Sequence, residues 1–501
     1  MAVVLSSLQA LQSRADGVIV VLAIIFVLMA IRPLVSRLWT PRDAPQFLKQ
    51  YYGFHSPTFS YSRAAYLEQG KHQTPDGQFS FWHGGNHVVA VSGHTARTTY
   101  LTSRGLDSLA GFLALLGGFL NVDGLTNSYV RLLMLVYKRC TQDEHMTENL
   151  PHLINDSHES LKDLDSKPSI DPVDLMASLV YQLTHRMVGT HDIAKSKKLV
   201  DSTREIYKPL EESSLFDIWF PLLPTPSKLR KFWGYSRLHW MIQGFVSNRR
   251  KTGQVQQDAM QMMIDQGCSS PMISLAIIGA ILAGVFNTSI NAAWNLCHLA
   301  KDPVWMAKLQ SEVDAVIRKH RQSQTEDIAD TLQRLTLKEW ETEFPLLELT
   351  IHETLRFTMS GTIVRRNIGN KDVPLGDTGS VIPKNSLAVY SSADAHMNPS
   401  VYKDPLKWDP SRHDKDRAEG SLTPHSFLGW GSGNHPCPAM RFAKLNIVVP
   451  TVMFIAYYDF HMCDMEGLDT KGPLPNLMFD RVGAGRPSEG VYMRCNLRVQ
   501  S

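Results

Sequence analysis

The six cysteines of this 501-residue chain show no paired spacing. Cys140, Cys268, Cys297, Cys437, Cys463 and Cys495 stand singly, which excludes a disulfide framework and a zinc site built on Cys-x-x-Cys, and suits a reducing compartment. The chain also has no basic tract: 51 Lys and Arg against 48 Asp and Glu leave a formal charge of +3, which gives no argument for a nucleic-acid partner. Repeats and low-complexity segments are missing, so the chain is neither a solenoid nor a disordered scaffold. Near the N-terminus the uncharged apolar run from Gly17 to Ile31 stops at fifteen residues. A single membrane span needs about 20, which is reached by extending to Val35 while Arg32 snorkels.

Arg14 is offset by Asp16 before that run, whereas Arg32, Arg37 and Arg42 follow it, an asymmetry that leaves the long C-terminal part on the cytoplasmic side. A cleaved signal peptide is the competing reading, but no small-residue cleavage site follows. Residues 1–36 are therefore expected to form a membrane anchor, and 37–50, with Pro41 and Pro45, a linker. The remaining chain is long enough to bury a large core.

Cys437 is the most informative residue. It lies in Phe427-Leu-Gly-Trp-Gly-Ser-Gly-Asn-His-Pro-Cys-Pro-Ala-Met-Arg-Phe-Ala-Lys, where Gly431 and Gly433 allow positive φ and close approach to a flat cofactor. The helix-like stretch that follows brings amides and a helix dipole to the sulfur. An axial thiolate to a haem iron needs this arrangement. An inert turn cysteine is the plainer reading, and three further segments argue against it.

Leu349-Thr-Ile-His-Glu-Thr-Leu-Arg356 reads as a helix with Glu353 and Arg356 on one face, and Lys407-Trp-Asp-Pro-Ser-Arg412 offers a second guanidinium. Ser270-Pro271 reads as an N-cap and first helical residue, opening a helix that meets no proline before Pro303 and is roughly 45 Å long. Its apolar stripe Ile273, Ile277, Ala280, Gly284 turns polar at Asn287, Thr288 and Asn291.

Together these segments resemble the cytochrome P450 superfamily, with particular likeness to fungal secondary-metabolism members and to the branch of sterol 7α-hydroxylases and prostacyclin synthase. Trp430-Gly-Ser-Gly-Asn-His-Pro-Cys437 is similar to the haem-binding loop, with Trp430 in place of the usual Phe and Ala439 where a glycine is usual. Glu353, Arg356 and Arg412 correspond to the Glu-x-x-Arg pair and its partner arginine, implying a structural role in locking the haem core. Arg366, on an expected strand, and His435 are placed by the resemblance near haem propionates. Ala283-Gly284-Val285-Phe286-Asn287-Thr288 is similar to the oxygen-activating segment, but Phe286 stands for the acid and Asn287 for the first threonine. The early Trp-x-x-x-Arg of many members is absent.

The resemblance implies a mainly α fold with a smaller β lobe: a haem-thiolate catalytic domain over 51–501, β-rich near 51–105 and helical over 106–501. It implies heme b held by Cys437, electrons from NADPH through a separate NADPH–cytochrome P450 reductase, and a lipophilic substrate, terpenoid- or sterol-like. It also places the protein in the endoplasmic reticulum membrane, single-pass, with the catalytic domain facing the cytoplasm. A fork remains at Asn287 and Thr288. If they hold a water chain, the chain is a monooxygenase; if they only shape the pocket, a pre-oxidised substrate is rearranged without reductant. A non-enzymatic haem protein is the third reading.

Overall fold

The computed structural model describes residues 41–48, 57–83, 85–115, 125–211, 217, 224–479 and 483–498. The expected anchor lies outside them, as does part of the linker. The chain divides into two compact units, the first drawn from 1–120, 213–229 and 364–390, the second from 121–212, 230–363 and 391–501.

The first unit is built on a five-stranded sheet ordered β1-β2-β5-β4-β3, from β1 (Phe79–His83), β2 (Asn86–Val91), β3 (Leu106–Asp107), β4 (Thr362–Asn367) and β5 (Leu387–Ser391). β1 and β2 form the expected hairpin, pairing Phe81 with Val88, and β2 runs parallel to β5. Valines suit the buried strand β2, and Phe79 and Phe81 add an aromatic cluster with Phe59 and Tyr66, ring centroids 4.9 to 5.9 Å apart. Residues expected in the linker add to this unit's edge, since Gln46 accepts from the Ser80 amide at 2.9 Å and Asp43 from that of Val381 at 2.9 Å. Helix α1 (His94–Thr102) buries Tyr100 and Leu101.

The second unit is helical. Its main members are α2 (Leu125–Cys140), α3 (Asp143–Leu161), α4 (Pro172–Val188), α5 (Pro226–Thr252, which begins in the first unit), α6 (Ser270–Lys301), α7 (Pro303–His320), α8 (Pro345–Thr358) and α9 (Met440–Tyr457). An antiparallel pair, β6 (Tyr458–Cys463) and β7 (Tyr492–Leu497), follows. α6 is the central element and packs most extensively on α4. Its 32 residues span about 48 Å. Ser269, not Ser270, is its N-cap, with extended backbone at φ −66° and ψ 146°. Ser270 is already helical because proline is tolerated anywhere in the first turn, where amides lack helical acceptors. α6 and α9 are long and apolar enough to cross a bilayer, yet most of each is buried; they are core helices.

Candidate active site

The cysteine loop is a tight turn between Leu428 and α9. The Gly431 amide donates to Leu428 O at 2.9 Å, and the Cys437 amide to Trp430 O at 2.7 Å. Gly431 has φ +74°, and a Cβ there would lie 2.5 Å from His435 O, so only glycine lets the chain fold back this closely. Gly433 also has positive φ, at +67°. Cys437 is half-buried. Burial pushes its thiol up, while the Ala439 amide bonding the sulfur works the other way, so a thiolate here calls for a facing cation. α9 begins at Met440 with Ala439 as its N-cap, which places amides beside the sulfur without the usual glycine.

Glu353 and Arg356 sit one turn apart on α8, both fully buried, and the structure brings Arg412 to them. Arg356 donates Nε to Glu353 Oε2 at 2.9 Å and Nη2 to Oε1 at 2.8 Å, a bidentate fork. Arg412 Nε reaches Oε1 at 2.9 Å, as does the Asp409 amide, and His413 Nε2 meets Oε2 at 2.9 Å. Burial alone would raise the Glu353 carboxyl, but bonds from Arg356 and His413 hold it down at about 2. Arg412 has a second acid in Glu419, at 2.6 Å.

The path from this ion core to the cysteine loop runs through His396, a residue of the Ser391–Pro399 segment to which the sequence assigns no role of its own. Arg356 Nη1 donates to His396 O at 2.6 Å, and His396 Nε2 accepts from the Leu428 amide at 2.8 Å. Burial first, then the Arg356 charge, lowers the ring to about 3, so it stays neutral and can accept. No motif spacing announces this bond, which joins residues 32 apart.

Asn287, Asn291 and Asn295 recur every fourth residue along α6. Asn291 Nδ2 donates to Asn287 O at 2.7 Å, and its Oδ1 accepts from Thr358 Oγ1 at 2.5 Å; Thr354 Oγ1 donates to Asn295 Oδ1 at 3.2 Å. The lower rungs thus bolt α6 to α8. Asn287 differs, for its Oδ1 accepts from the Ala484 amide at 2.9 Å. Only the oxygen can accept, so this bond fixes the amide flip and commits the acceptor. Gly483, at φ +98°, permits the contact, since a Cβ would stand 2.5 Å from that oxygen. Thr288 is buried on the same helix. Phe286 carries the Arg486 guanidinium at 4.6 Å over its ring, an apolar role where the resemblance expected an acid.

Arg366 lies on β4 in the first unit, as does Arg365. Alternation along the strand sends them to opposite faces. Arg365 is buried over the Tyr100 ring and donates to Tyr100 O; Arg366 Nη2 donates to Asn86 Oδ1 at 2.8 Å. His435 sits half-buried in the cysteine loop.

The donors suit a haem. A single soft sulfur lies on a turn that glycine keeps close, and the buried donors of the same unit without a hydrogen-bond partner among the described residues include Trp430 Nε1, at the start of that turn, and Tyr137 Oη on α2. Tyr137 is raised by burial, then by Tyr129 and by Cys437, which places it within electrostatic range of the sulfur. Buried polar groups seldom stay unpaired, and a cofactor with a polar rim supplies acceptors.

A family model described as Cytochrome P450 matches residues 72–482. The chain is 28% identical over 481 residues to Cytochrome P450 monooxygenase AacuE of Aspergillus aculeatus, covering 91% of this chain and 94% of that one. It is 26% identical over 301 residues to an obtusifoliol 14-alpha demethylase of Triticum aestivum, covering 57% and 63%. A cyanobacterial CYP120A1 with bound retinoic acid shares the fold at a TM-score of 0.71 and 16% identity, with 92% of this chain and 100% of that one aligned.

Proposed function

This chain belongs to the cytochrome P450 family, and from that premise we propose that Cys437 is the axial ligand of its haem and that it oxidises a lipophilic small molecule, terpenoid- or sterol-like, in fungal-type secondary metabolism. It is a monooxygenase, an oxidoreductase whose family uses haem with a cysteine thiolate and implies a redox partner. When bound, that haem supplies activation of dioxygen, favoured by electron donation from sulfur. The observation that carries the assignment is the Cys437 turn, with its positive-φ glycines and the Ala439 amide on the sulfur. Gly431 and Gly433 let the backbone approach, and His435 and Arg366 are proposed to meet propionates. Glu353, Arg356 and Arg412 hold the loop in place through His396.

Asn287 and Thr288 are proposed to face the reacting end of the ligand. Asn287 has its oxygen committed to Ala484, so it presents N–H donors and orients an oxygen atom rather than relaying a proton; a carboxamide does not exchange protons as an acid does. Thr288, the neighbouring hydroxyl, is then the group left to pass one. Electrons are proposed to come from NADPH through NADPH–cytochrome P450 reductase, with residues 1–36 anchoring the protein in the endoplasmic reticulum membrane.

A second reading follows from the committed oxygen of Asn287 and the absence of an acid at Phe286: rearrangement of a pre-oxidised substrate with no external reductant. The first experiment is the absorption spectrum of the reduced protein under carbon monoxide, for wild type and Cys437→Ser. A strongly red-shifted Soret band that the variant loses is expected; the same band in both refutes the ligand assignment. Turnover that needs NADPH and reductase supports monooxygenation, whereas product from a peroxide without either supports rearrangement.

A further inference from the structure

Among the described residues one group of three metal-binding side chains converges: His320, Glu339 and Glu343, whose donor atoms all lie within 4.8 Å of one another. All three belong to the second unit. His320 is the last residue of α7 and is half-buried. The two acids sit on the short helix Leu337–Thr342, Glu339 in its first turn and Glu343 as its C-cap, so both project from one side of it. Carboxylates at this spacing repel each other, and a cation between them relieves the repulsion. Lys319 meets that need in part, with its ammonium on Glu343 Oε1, while His320 Nε2 lies 3.1 Å from Glu343 Oε2. The Lys319 side chain is 61% exposed, and such a contact is easily exchanged.

The frame beneath these groups is fixed. Trp340 and Phe344 are buried with ring centroids 5.4 Å apart, which anchors the inner side of the short helix. The Thr336 amide and hydroxyl donate to Glu339 Oε2 at 2.7 and 2.8 Å in a capping box, and this orients the carboxylate while Oε1 stays uncommitted among the described residues. Arg334 Nη2 donates to His320 O at 2.9 Å, holding the end of α7 against the segment that leads into the short helix. Ligands carried on helix ends that are already held need little further ordering to close on an ion.

We propose that His320, Glu339 and Glu343 bind a divalent transition-metal ion of the zinc class, with water completing its coordination. One imidazole nitrogen and two carboxylate oxygens suit zinc, whereas magnesium and calcium call for oxygen ligands throughout. Donors about 2.0–2.1 Å from a tetrahedral ion stand about 3.3 Å apart, so the group closes from its present spacing by side-chain rotation, as the Lys319 ammonium swings into water and the ion takes its place. The ion ties His320 to the two acids across the segment 321–336, and closing that loop stabilises the fold at both of its ends. Glu341, on the same short helix, pairs with Arg441 at the start of α9, so the ion also steadies a contact shortly after Cys437.

The test is zinc binding by the full-length, haem-loaded protein after treatment with a chelator, by equilibrium dialysis with metal analysis and by X-ray absorption at the zinc edge, which reads zinc apart from iron. Wild type is expected to take up one zinc more per chain than His320→Phe or Glu339→Gln. Glutamine also closes a capping box, so Glu339→Gln keeps the helix start and removes only the ligand: its zinc-free melting temperature should stay within about 1 °C of wild type, with zinc affinity at least about tenfold weaker. Zinc at about a hundredfold excess over its dissociation constant should raise the melting temperature of wild type by about 3 °C and leave both variants unmoved. The edge spectrum should show nitrogen and oxygen at about 2.0–2.1 Å with an imidazole outer shell. Equal uptake in wild type and both variants overturns the proposal, as does a sulfur shell at about 2.3 Å, which assigns the ion to cysteine. No uptake by wild type at about 0.1 mM zinc overturns it too.

Discussion

Replacing Glu353 by Ala removes the acceptor of five donors at once. Arg356 Nε and Nη2, Arg412 Nε, the Asp409 amide and His413 all end on its two oxygens at 2.8 to 2.9 Å. Arg412 keeps an acid in Glu419, but Arg356 keeps no carboxylate, its remaining acceptors being the carbonyls of His396 at 2.6 Å and Lys407 at 3.4 Å and the Met397 sulfur at 3.6 Å. Its charge stays buried without a counter-charge, which costs about 3–5 kcal/mol, a large share of the about 5–15 kcal/mol that holds a domain. For a chain of this size the melting temperature should drop by roughly 3–5 °C. The loss should reach the cysteine loop, because Arg356 positions His396 and His396 holds Leu428. Calorimetry and the haem-to-protein absorbance ratio measure both effects. Glu353→Gln, which keeps size but sets an amide against guanidinium donors, should do nearly as badly, and Glu353→Asp should recover part of the loss. A Glu353→Ala protein that stays fully haem-loaded and melts within about 2 °C of wild type would refute the coupling.

Gly431→Ala should destabilise by about 1–3 kcal/mol from the positive φ alone, and more from the 2.5 Å approach of its Cβ to His435 O; gel filtration should show haem loss, and unchanged retention would mean the turn is not tight in solution. Stability should also fall with acid. His185 and His396 are held neutral at about 3 and His298 at about 4, in each case by burial first. Unfolded histidines take protons below about 6.5 while these do not, so each costs about 1.4 kcal/mol per pH unit below that value, roughly 4 kcal/mol for the three by pH 5.5. Chemical denaturation at pH 7.5 and 5.5 should show that drop, and a flat profile would put protons on these rings in the folded state. His396→Phe, which fills the space but cannot accept from Leu428, should flatten the profile by about one histidine's share while loosening haem retention.

The chain's order carried much of this protein openly. Cys437 shortly after two glycines, Glu353 and Arg356 one turn apart, and a run from Met272 to Asp302 without proline are local patterns, because turns, helix faces and helix ends depend on neighbours a few residues away. The hairpin of β1 and β2 was legible for the same reason, through valines and a glycine turn. Other features join distant segments and had no local signature. The commitment of Asn287 to Ala484, across 197 residues, decides that its amide donates. The bond from Leu428 to His396 decides what couples the ion core to the cysteine. The separation of Arg365 from Arg366 came from strand alternation, which only the placement of Tyr100 and Asn86 could turn into roles. The sequence by itself determined which residues can carry the chemistry, since residue type and short spacing are covalent facts. The tertiary structure alone decided which hydrogen-bonding atoms are already engaged, because a partner far along the chain is chosen by packing.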